Sequence, residues 1–248
     1  VFSGESFQKS FQSYLSTGSG DDALKSAASA DAENAPKIIW VNPGKKFSIG
    51  EETDPPTRYT IRPHSATDYQ QLIQTLISNQ QLPDQVVYGW HLNVTNVATD
   101  YINDFKAMVG LTQALAQLKH RLTLSLLTTD AYSVAGRGST NPSKAKSIGF
   151  TQSITQEYPH IGCRILEVES FSYTMEHSGL QQLYQELLTP YHASQRQIAY
   201  RGYHRWVQTY EAFPIPKIDR SPGLKQNGTY LIAGDLVEGL GMIYAQAL

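Results

Sequence analysis

Residue types suited to the reduction of a carbonyl stand between positions 128 and 146. The apolar run "RLTLSLLTT" predicts a strand that ends in Thr128 and Thr129, and the helix predicted after it carries Lys144 and Lys146. In a reductase of this layout the strand ends in a hydroxyl, and a tyrosine four residues before the lysine donates a proton to the carbonyl. The order of strand, hydroxyl, loop, helix and lysine is therefore that of a carbonyl reductase.

The proton donor of that layout is absent. Thr140 and Pro142 stand four residues before Lys144 and Lys146, and neither side chain can act as the acid. Tyr132 lies too far upstream to replace the donor by spacing. We therefore predict no catalytic residues in this chain.

A second candidate site lies in the stretch Gly228–Leu248. Its sequence, "GTYLIAGDLVEGLGMIYAQAL", predicts a short strand, a loop with Gly234, Gly239 and Gly241, and the first turns of a helix. Glycines at the first strand–helix turn let the backbone approach a pyrophosphate, and the helix N-terminus supplies positive potential. The three glycines are therefore predicted to bind a dinucleotide.

The remaining candidate residues do not indicate a cofactor, nucleophile or metal site. The N-terminal turn has the single glycine Gly4, and Glu5 directly after it would oppose a bound phosphate. Cys163 begins an apolar strand, which indicates a core thiol. None of the seven histidines has the spacing of a helical zinc site, so no metal site is predicted. Three glutamates could be proposed as acid–base groups, but their spacing does not place any two of them together. We therefore expect them at solvated edges: Glu157, Glu167 and Glu169.

The composition describes a globular protein, with 40% hydrophobic and 17% charged residues. A net charge of −2 argues against nucleic acid and anionic membranes as partners, because it gives no basic field to attract phosphates. The single cysteine fits a reducing compartment. No apolar run approaches the length that spans a bilayer, and no signal peptide opens the chain. The expectation is a cytoplasmic protein.

Predicted strands and helices alternate along the chain, and the helices are long enough to connect parallel strands. This order predicts an α/β fold with a doubly wound, mostly parallel sheet and helices on both faces. Residues 1–212 form the main domain, in which 17–36, rich in Ser, Gly, Ala and Asp, are expected to be a flexible insertion. Residues 213–227 contain prolines and predict a linker, and 228–248 begin a second domain.

Several segments, in their order along the chain, resemble the ketoreductase region of modular type I polyketide synthases. The resemblance covers nearly the whole chain, and it is carried by the ordered series more than by any single motif. It includes "VNPGKKF", "YTIRPHSATDYQQLIQTL", "LPDQVVYGWHL", "LTLSLLTTDAYSV", "QEYPHIGCRILEVE", "QIAYRGYHRWV" and "NGTYLIAGDLVEGLG".

The resemblance implies a truncated Rossmann-like fold, similar to short-chain dehydrogenases, that has lost cofactor binding and catalysis. Such a structural subdomain supports a catalytic subdomain that uses NADPH to reduce a β-ketoacyl chain on an acyl carrier protein. The implied partners are that catalytic subdomain or neighbouring synthase domains, with the carrier protein as an indirect partner. No cofactor is expected in this chain alone. NADPH is implied for the complete ketoreductase, whose cofactor site Gly234, Gly239 and Gly241 would begin, and the catalytic residues are expected beyond Leu248.

The glycine loop departs from the family pattern of threonine–glycine, three residues, then glycine–x–glycine. Ala233 replaces the threonine, and four residues, two of them acidic, separate Gly234 from Gly239. This departure leaves a pseudo-ketoreductase open as a further interpretation. The alternative function is an NADP(H)-dependent oxidoreductase that is active only with the missing half or across an oligomer.

Overall fold

A computed structural model describes residues 1, 5–17, 37–50, 55–93, 98–134, 136, 140–169, 177–214, 225, 227–234 and 239–247. The chain divides into two compact units, Val1–Thr209 and Tyr210–Leu248. Residues 18–36 of the predicted insertion lie outside the described ranges, as do 215–224 and 226 of the predicted linker. The predicted boundaries at residues 212 and 227 therefore remain predictions.

The first unit contains two groups of paired strands. β4, β5, β6 and β7 run parallel in that order, and β8 closes the five-stranded sheet antiparallel to β7. In the other group, β3 pairs parallel with β1 and antiparallel with β2. The strands are β1 (Trp40–Pro43), β2 (Ser48–Ile49), β3 (Arg58–Ile61), β4 (Gln85–Tyr88), β5 (Leu122–Thr128), β6 (Ile161–Glu167), β7 (Gln197–Arg201) and β8 (His204–Val207).

Within the described residues, five α-helices lie among these strands, and a sixth lies in the second unit. The connection after β4 contains a short 3₁₀ helix, Trp90–Asn93, which ends the extended run that the sequence predicts through Leu92. The α-helices are α1 (Glu5–Thr17), α2 (Ala66–Ser78), α3 (Ala98–Leu115), α4 (Pro142–Glu157), α5 (His177–Leu188) and α6 (Leu240–Ala247).

The five-stranded sheet is covered by helices on both faces. Successive side chains of a strand point to opposite faces, and on β5 Leu126 joins one apolar cluster while Leu127 joins another. The first cluster contains side chains of α2, α3 and α4, and the second contains side chains of α1 and α5. The predicted α/β, doubly wound, mostly parallel architecture is confirmed.

Val1 lies against β1, in agreement with the strand tail that the sequence predicts there. Its amino group donates to the carbonyl of Ile39 at 2.6 Å, and the amide of Val41 donates to the carbonyl of Val1 at 2.9 Å. Residues 2–4 of the predicted tail lie outside the described residues.

Two helices begin at side chains that cap their first amides. The hydroxyl of Ser65 accepts from the amide of Asp68 at 3.3 Å and N-caps α2. Asn141 caps α4 by accepting from the amide of Ser143 at 2.9 Å, with Pro142 as the first helical residue. Both caps satisfy amides that have no partner inside the helix.

The apolar stripes predicted on three helices are less buried at their ends than expected. Ile77 on α2, Ile102 and Phe105 on α3, and Leu188 on α5 are 40 to 51% exposed. Ile77 and Leu188 lie in the last turns of their helices, whereas Phe105 lies within α3 and contacts the ring of Phe150. No helix within the described residues is long and apolar enough to cross a membrane.

Candidate functional site

Three parallel strands bring polar side chains to one edge of the sheet. Tyr88 ends β4, Thr128 ends β5 and Glu167 ends β6, and Thr128 and Glu167 lie at the same register. Open α/β sheets bind ligands just outside the carboxyl ends of their strands. This edge, called the carboxyl edge below, is therefore the first place to look for chemistry.

Lys144 reaches the carboxyl edge from the first turn of α4. Its Nζ donates to the Oγ1 of Thr129 at 2.5 Å and to the carbonyl of Leu92 at 3.4 Å. The side chain is buried, and burial lowers its pKa although the charge of Asp130 opposes that effect. The hydroxyl that the sequence places at the reductase position is therefore bonded to a buried lysine.

The other residues of the predicted reductase layout do not join this contact. The hydroxyl of Thr128 donates to the carbonyl of Thr129 at 3.4 Å. Lys146 instead faces the carboxylate of Asp104, with Nζ at 3.3 Å from Oδ2. The structure thus brings together one threonine and one lysine of the four residues that the sequence singled out.

A buried cluster is centred on the Asp104 carboxylate of α3. Its Oδ1 accepts from the hydroxyl of Tyr88 at 2.9 Å, and its Oδ2 lies 2.7 Å from Nδ1 of His91. Burial alone would raise the pKa of Asp104, but the bonds from His91 and the charge of Lys146 outweigh burial and lower it. The Asp104 carboxylate therefore ties β4 and the 3₁₀ helix to α3 and α4.

Burial first, and then the charge of Asp104, raises the pKa of Tyr88 well above its ordinary value. This tyrosine is therefore a hydrogen-bond donor to a carboxylate at neutral pH, and a poor proton donor to any other group. Because a catalytic acid needs a pKa near the working pH, Tyr88 does not supply the acid that the sequence lacks.

Sequence reasoning missed His91 and Asp104. Asp104 stands four residues before Met108 and seven before Leu111, so it lies on the apolar stripe of α3. A carboxylate on a buried stripe requires hydrogen-bond or ionic partners. This position on the stripe was the sign in the sequence that Asp104 belongs to a buried cluster. His91 has no comparable pattern around it.

The prediction that Glu167 lies at a solvated edge is wrong. Its side chain is fully buried, and its Oε2 accepts from the amides of Ala131 at 3.0 Å and Tyr132 at 2.7 Å. Its Oε1 pairs with the guanidinium of Arg201. Burial raises the pKa of Glu167, and the bond from Arg201 opposes that rise. The partners lie 34 to 36 residues away in sequence, so spacing could not reveal them.

A second buried ionic cluster anchors α5 to the sheet. The guanidinium of Arg164 donates to Ser125 Oγ at 3.0 Å and to the carbonyls of Glu186 and Thr189 at 3.1 Å each. The Glu186 carboxylate accepts from Arg205 at 2.7 Å. Carbonyls at the end of a helix lack partners inside the helix. Here the guanidinium of Arg164, on β6, is a donor to them. This cluster lies on the body of the sheet and serves packing.

Cys163 is fully buried on β6, as the sequence indicated for a core thiol. Burial raises its pKa to about 12, which makes it a poor nucleophile at neutral pH. Within the described residues, no group of three or more His, Cys, Asp or Glu side chains could hold a metal ion.

The three glycines predicted to bind a dinucleotide lie in the second unit. Gly234 is in a bend, Gly239 directly precedes α6, and Gly241 lies in its first turn. A Cβ added at Gly234 would meet open space. Residues 235–238, the acidic part of the loop, lie outside the described residues. The cofactor role of these glycines stays a prediction.

The described residues of the carboxyl edge do not fit a nicotinamide dinucleotide, the group that Rossmann-like folds bind at such an edge. The strand-end groups are bonded to one another: Thr129 to Lys144, Glu167 to Arg201. A bound dinucleotide would have to displace these buried contacts.

A family model described as beta-ketoacyl synthase-like, N-terminal, matches residues 19–186. No curated protein gave a significant match.

Two solved structures share the fold. A chain titled "Adenylation, ketoreductase, and pseudo Asub multidomain structure of a keto acid-selecting NRPS module" has a TM-score of 0.60 at 21% identity over 76% of this chain. An N-terminal ketoreductase from the macrolactin assembly line has a TM-score of 0.56 at 16% identity over 87% of this chain. This chain spans 16% of the first structure and 41% of the second.

Proposed function

The chain belongs to the beta-ketoacyl synthase-like, N-terminal family, and from that premise we propose that it is the non-catalytic structural subdomain of a polyketide synthase ketoreductase. Its fold, shared with the ketoreductase-containing structures, supports the proposal. In this role the first unit braces an NADPH-dependent half that reduces a β-ketoacyl chain.

The observation that carries the proposal is the contact between Lys144 and Thr129. In a carbonyl reductase of this layout, a tyrosine hydroxyl would stand beside the strand-end hydroxyl and protonate the substrate. Here the buried ammonium of Lys144 donates to that hydroxyl at 2.5 Å. Tyr88, which ends β4 at this edge, donates its hydroxyl to Asp104. Among the described residues of the first unit, the strand-end hydroxyl of Thr129 and the hydroxyl of Tyr88 are therefore both engaged with other side chains and do not supply that proton.

The second unit supports the part of the proposal that concerns partners. On α6, Leu240, Ile243 and Tyr244 are 61 to 70% exposed, and no residue of the helix is buried. An apolar helix of this kind gains stability only when another surface covers it. The catalytic subdomain or a neighbouring synthase domain would provide that surface. The acyl carrier protein would be an indirect partner, acting on the catalytic half.

The test is a reduction assay on this chain alone. We expect no oxidation of NADPH above the blank with a β-ketoacyl N-acetylcysteamine thioester, while a complete ketoreductase run in parallel consumes NADPH. Substrate-dependent turnover by this chain would contradict the proposal, because it would require an acid and a cofactor site that the proposal denies.

A second candidate function is an NADP(H)-dependent oxidoreductase whose cofactor rests on Gly234, Gly239 and Gly241. The placement of Gly239 just before α6 favours it, because helix N-termini bind phosphates. Fluorescence titration with NADPH tests this alternative. Saturable binding that Gly239→Asp abolishes, and that Gly149→Ala on the exposed face of α4 leaves intact, would support it. The leading proposal expects no saturation at millimolar NADPH.

A further inference from the structure

The loop after β5 presents two consecutive backbone amides to one point. Asp130 has a left-handed backbone, with a φ of 55°, and the amides of Ala131 and Tyr132 follow it. Both amides donate to the same oxygen, Oε2 of Glu167, at 3.0 and 2.7 Å. Successive amides after such a turn form an anion-binding concavity. The concavity formed by these two amides is called the 131–132 nest below.

Arg201 completes the nest from β7. Its Nη2 pairs with Oε1 of Glu167 and also donates to the carbonyl of Tyr132 at 3.2 Å, while Nη1 donates to the carbonyl of Tyr200 at 2.8 Å. The bond to the carbonyl of Tyr200 does not involve Glu167, whereas Tyr132 also contacts Glu167 through its amide. The side chain of Arg201 is 22% exposed, whereas that of Glu167 is fully buried.

We propose that the 131–132 nest and Arg201 form a carboxylate-binding site at the carboxyl edge, and that Glu167 is its tethered ligand. Three donors converge on the two oxygens of one carboxylate, and hydrogen bonds to an ionised group are stronger than those between neutral groups. The ligand class is a small monocarboxylate, such as acetate or formate. The proposal does not depend on the proposed function, because it concerns only which groups bind a carboxylate at the carboxyl edge.

A carboxylate-binding site and a simple ion pair between Glu167 and Arg201 predict different results when the side chain of Glu167 is removed. If the amides and Arg201 are held by their own bonds, the site persists when the tethered carboxylate is removed. The amide of Asn141 donates to the carbonyl of Asp130 at 2.6 Å, and this bond does not involve Glu167. Glu167→Ala should therefore leave a site that free acetate can enter.

The experiment measures thermal unfolding of the full chain with Glu167→Ala in sodium acetate and in sodium chloride of equal ionic strength. A ligand that binds only the folded state raises the melting temperature. We expect acetate to raise the melting temperature of this variant by about 2–4 °C relative to chloride, and to leave the unsubstituted protein unchanged. Acetamide, which has the shape of acetate without its charge, should have no effect.

Two matched variants separate this site from a general salt effect. The exposed Glu169 carboxylate accepts from the single amide of Gly202 at 2.7 Å, so Glu169→Ala should show no preference for acetate. Combining Glu167→Ala with Arg201→Met should abolish the acetate effect. Equal melting temperatures of Glu167→Ala in acetate, chloride and acetamide would overturn the proposal.

Glu167→Ala could be unfolded in chloride at all temperatures, since a buried anion and its partners form a strongly coupled group. Refolding by dilution from urea then replaces melting as the measurement. Recovery of the native circular dichroism in acetate but not in chloride would support the site. Failure to recover in both solutions would overturn it.

Discussion

At the scale of single residues, buried charges at the carboxyl edge serve one another. Asp104 accepts from Tyr88 and contacts His91 and Lys146, while Lys144 donates to Thr129. A buried charge is tolerated only when it is paired and hydrogen-bonded. The groups that could have performed chemistry are therefore engaged in holding the edge together.

Asp104→Asn tests whether the paired charges at the carboxyl edge stabilise the fold. The amide cannot neutralise the charge of Lys146 or serve His91 as the carboxylate does, so we expect the unfolding free energy to fall by about 2–4 kcal/mol. Urea unfolding followed by circular dichroism measures the loss. Asp84→Asn, at an exposed position, is the control and should change stability by less than about 0.5 kcal/mol. Equal stabilities of the two variants would contradict the central role of Asp104.

At the scale of elements, ionic side chains fasten helix ends to strands. Asp68 in the first turn of α2 accepts from Nε of Arg62 at 3.0 Å and from Nη2 at 2.6 Å. Arg164 of β6 donates to the carbonyls at the end of α5. At α5 the guanidinium satisfies backbone carbonyls of the helix end, whereas at α2 it pairs with the carboxylate of a first-turn side chain.

The Asp68 contact predicts a pH dependence. The hydrogen bond from Arg62 lowers the pKa of Asp68 from 3.8 to about 2. The folded state thus binds this proton less well than the unfolded state, so the stabilisation is complete above about pH 4 and disappears as the pH falls towards 2. At neutral pH it amounts to about 1–2 kcal/mol, after allowance for the solvent exposure of Arg62.

Unfolding free energies of the unsubstituted chain and of Asp68→Asn, measured from pH 7 to pH 2, provide the test. The difference between them should be constant down to about pH 4 and should shrink below it. A difference that stays constant to pH 2 would mean that the carboxylate charge contributes nothing to this helix end.

Arg164→Met removes the strand's hold on α5. The methionine fills part of the volume but leaves the helix-end carbonyls and Ser125 without their donor, so we expect a loss of about 2–4 kcal/mol. Amide hydrogen exchange should accelerate more in the last turns of α5 than in α2. Arg121→Met, at an exposed position, is the matched control. Uniform acceleration in both helices would show that Arg164 does not act through α5.

At the scale of the whole molecule, the two compact units differ in how completely they bury their apolar side chains. The first unit contains both apolar clusters that cover the sheet. The second exposes Leu231 at 97%, together with Leu240, Ile243 and Tyr244 on α6. The first unit therefore has the core of a self-sufficient domain, whereas the second has surfaces that require a cover.

This difference predicts that a chain ending at Thr209 folds by itself. Its melting temperature should lie within about 2–4 °C of that of the full chain, because no residue of either cluster is removed. It should also bind less of a dye that reports exposed apolar surface. A truncated chain that is unfolded at room temperature would show that the first unit is not stable without the second.

The sequence by itself determined the α/β class, the helix caps and most strands, because these depend on local periodicity and on side chains within a few residues. Ser65 caps α2, Pro142 is the first residue of α4, and β7 and β8 flank Gly202, all of which the local sequence pattern indicates. The absence of a tyrosine four residues before Lys144 or Lys146 could also be read directly.

Only the tertiary structure decided what occupies the carboxyl edge. Glu167 reads as a solvated residue in sequence, yet it is buried against Arg201 and the 131–132 nest. His91 meets Asp104 only because β4, α3 and α4 converge at one point. Pairings of this kind join residues far apart in the chain, and parallel strands, whose connections are long, bring such residues together at one edge of the sheet.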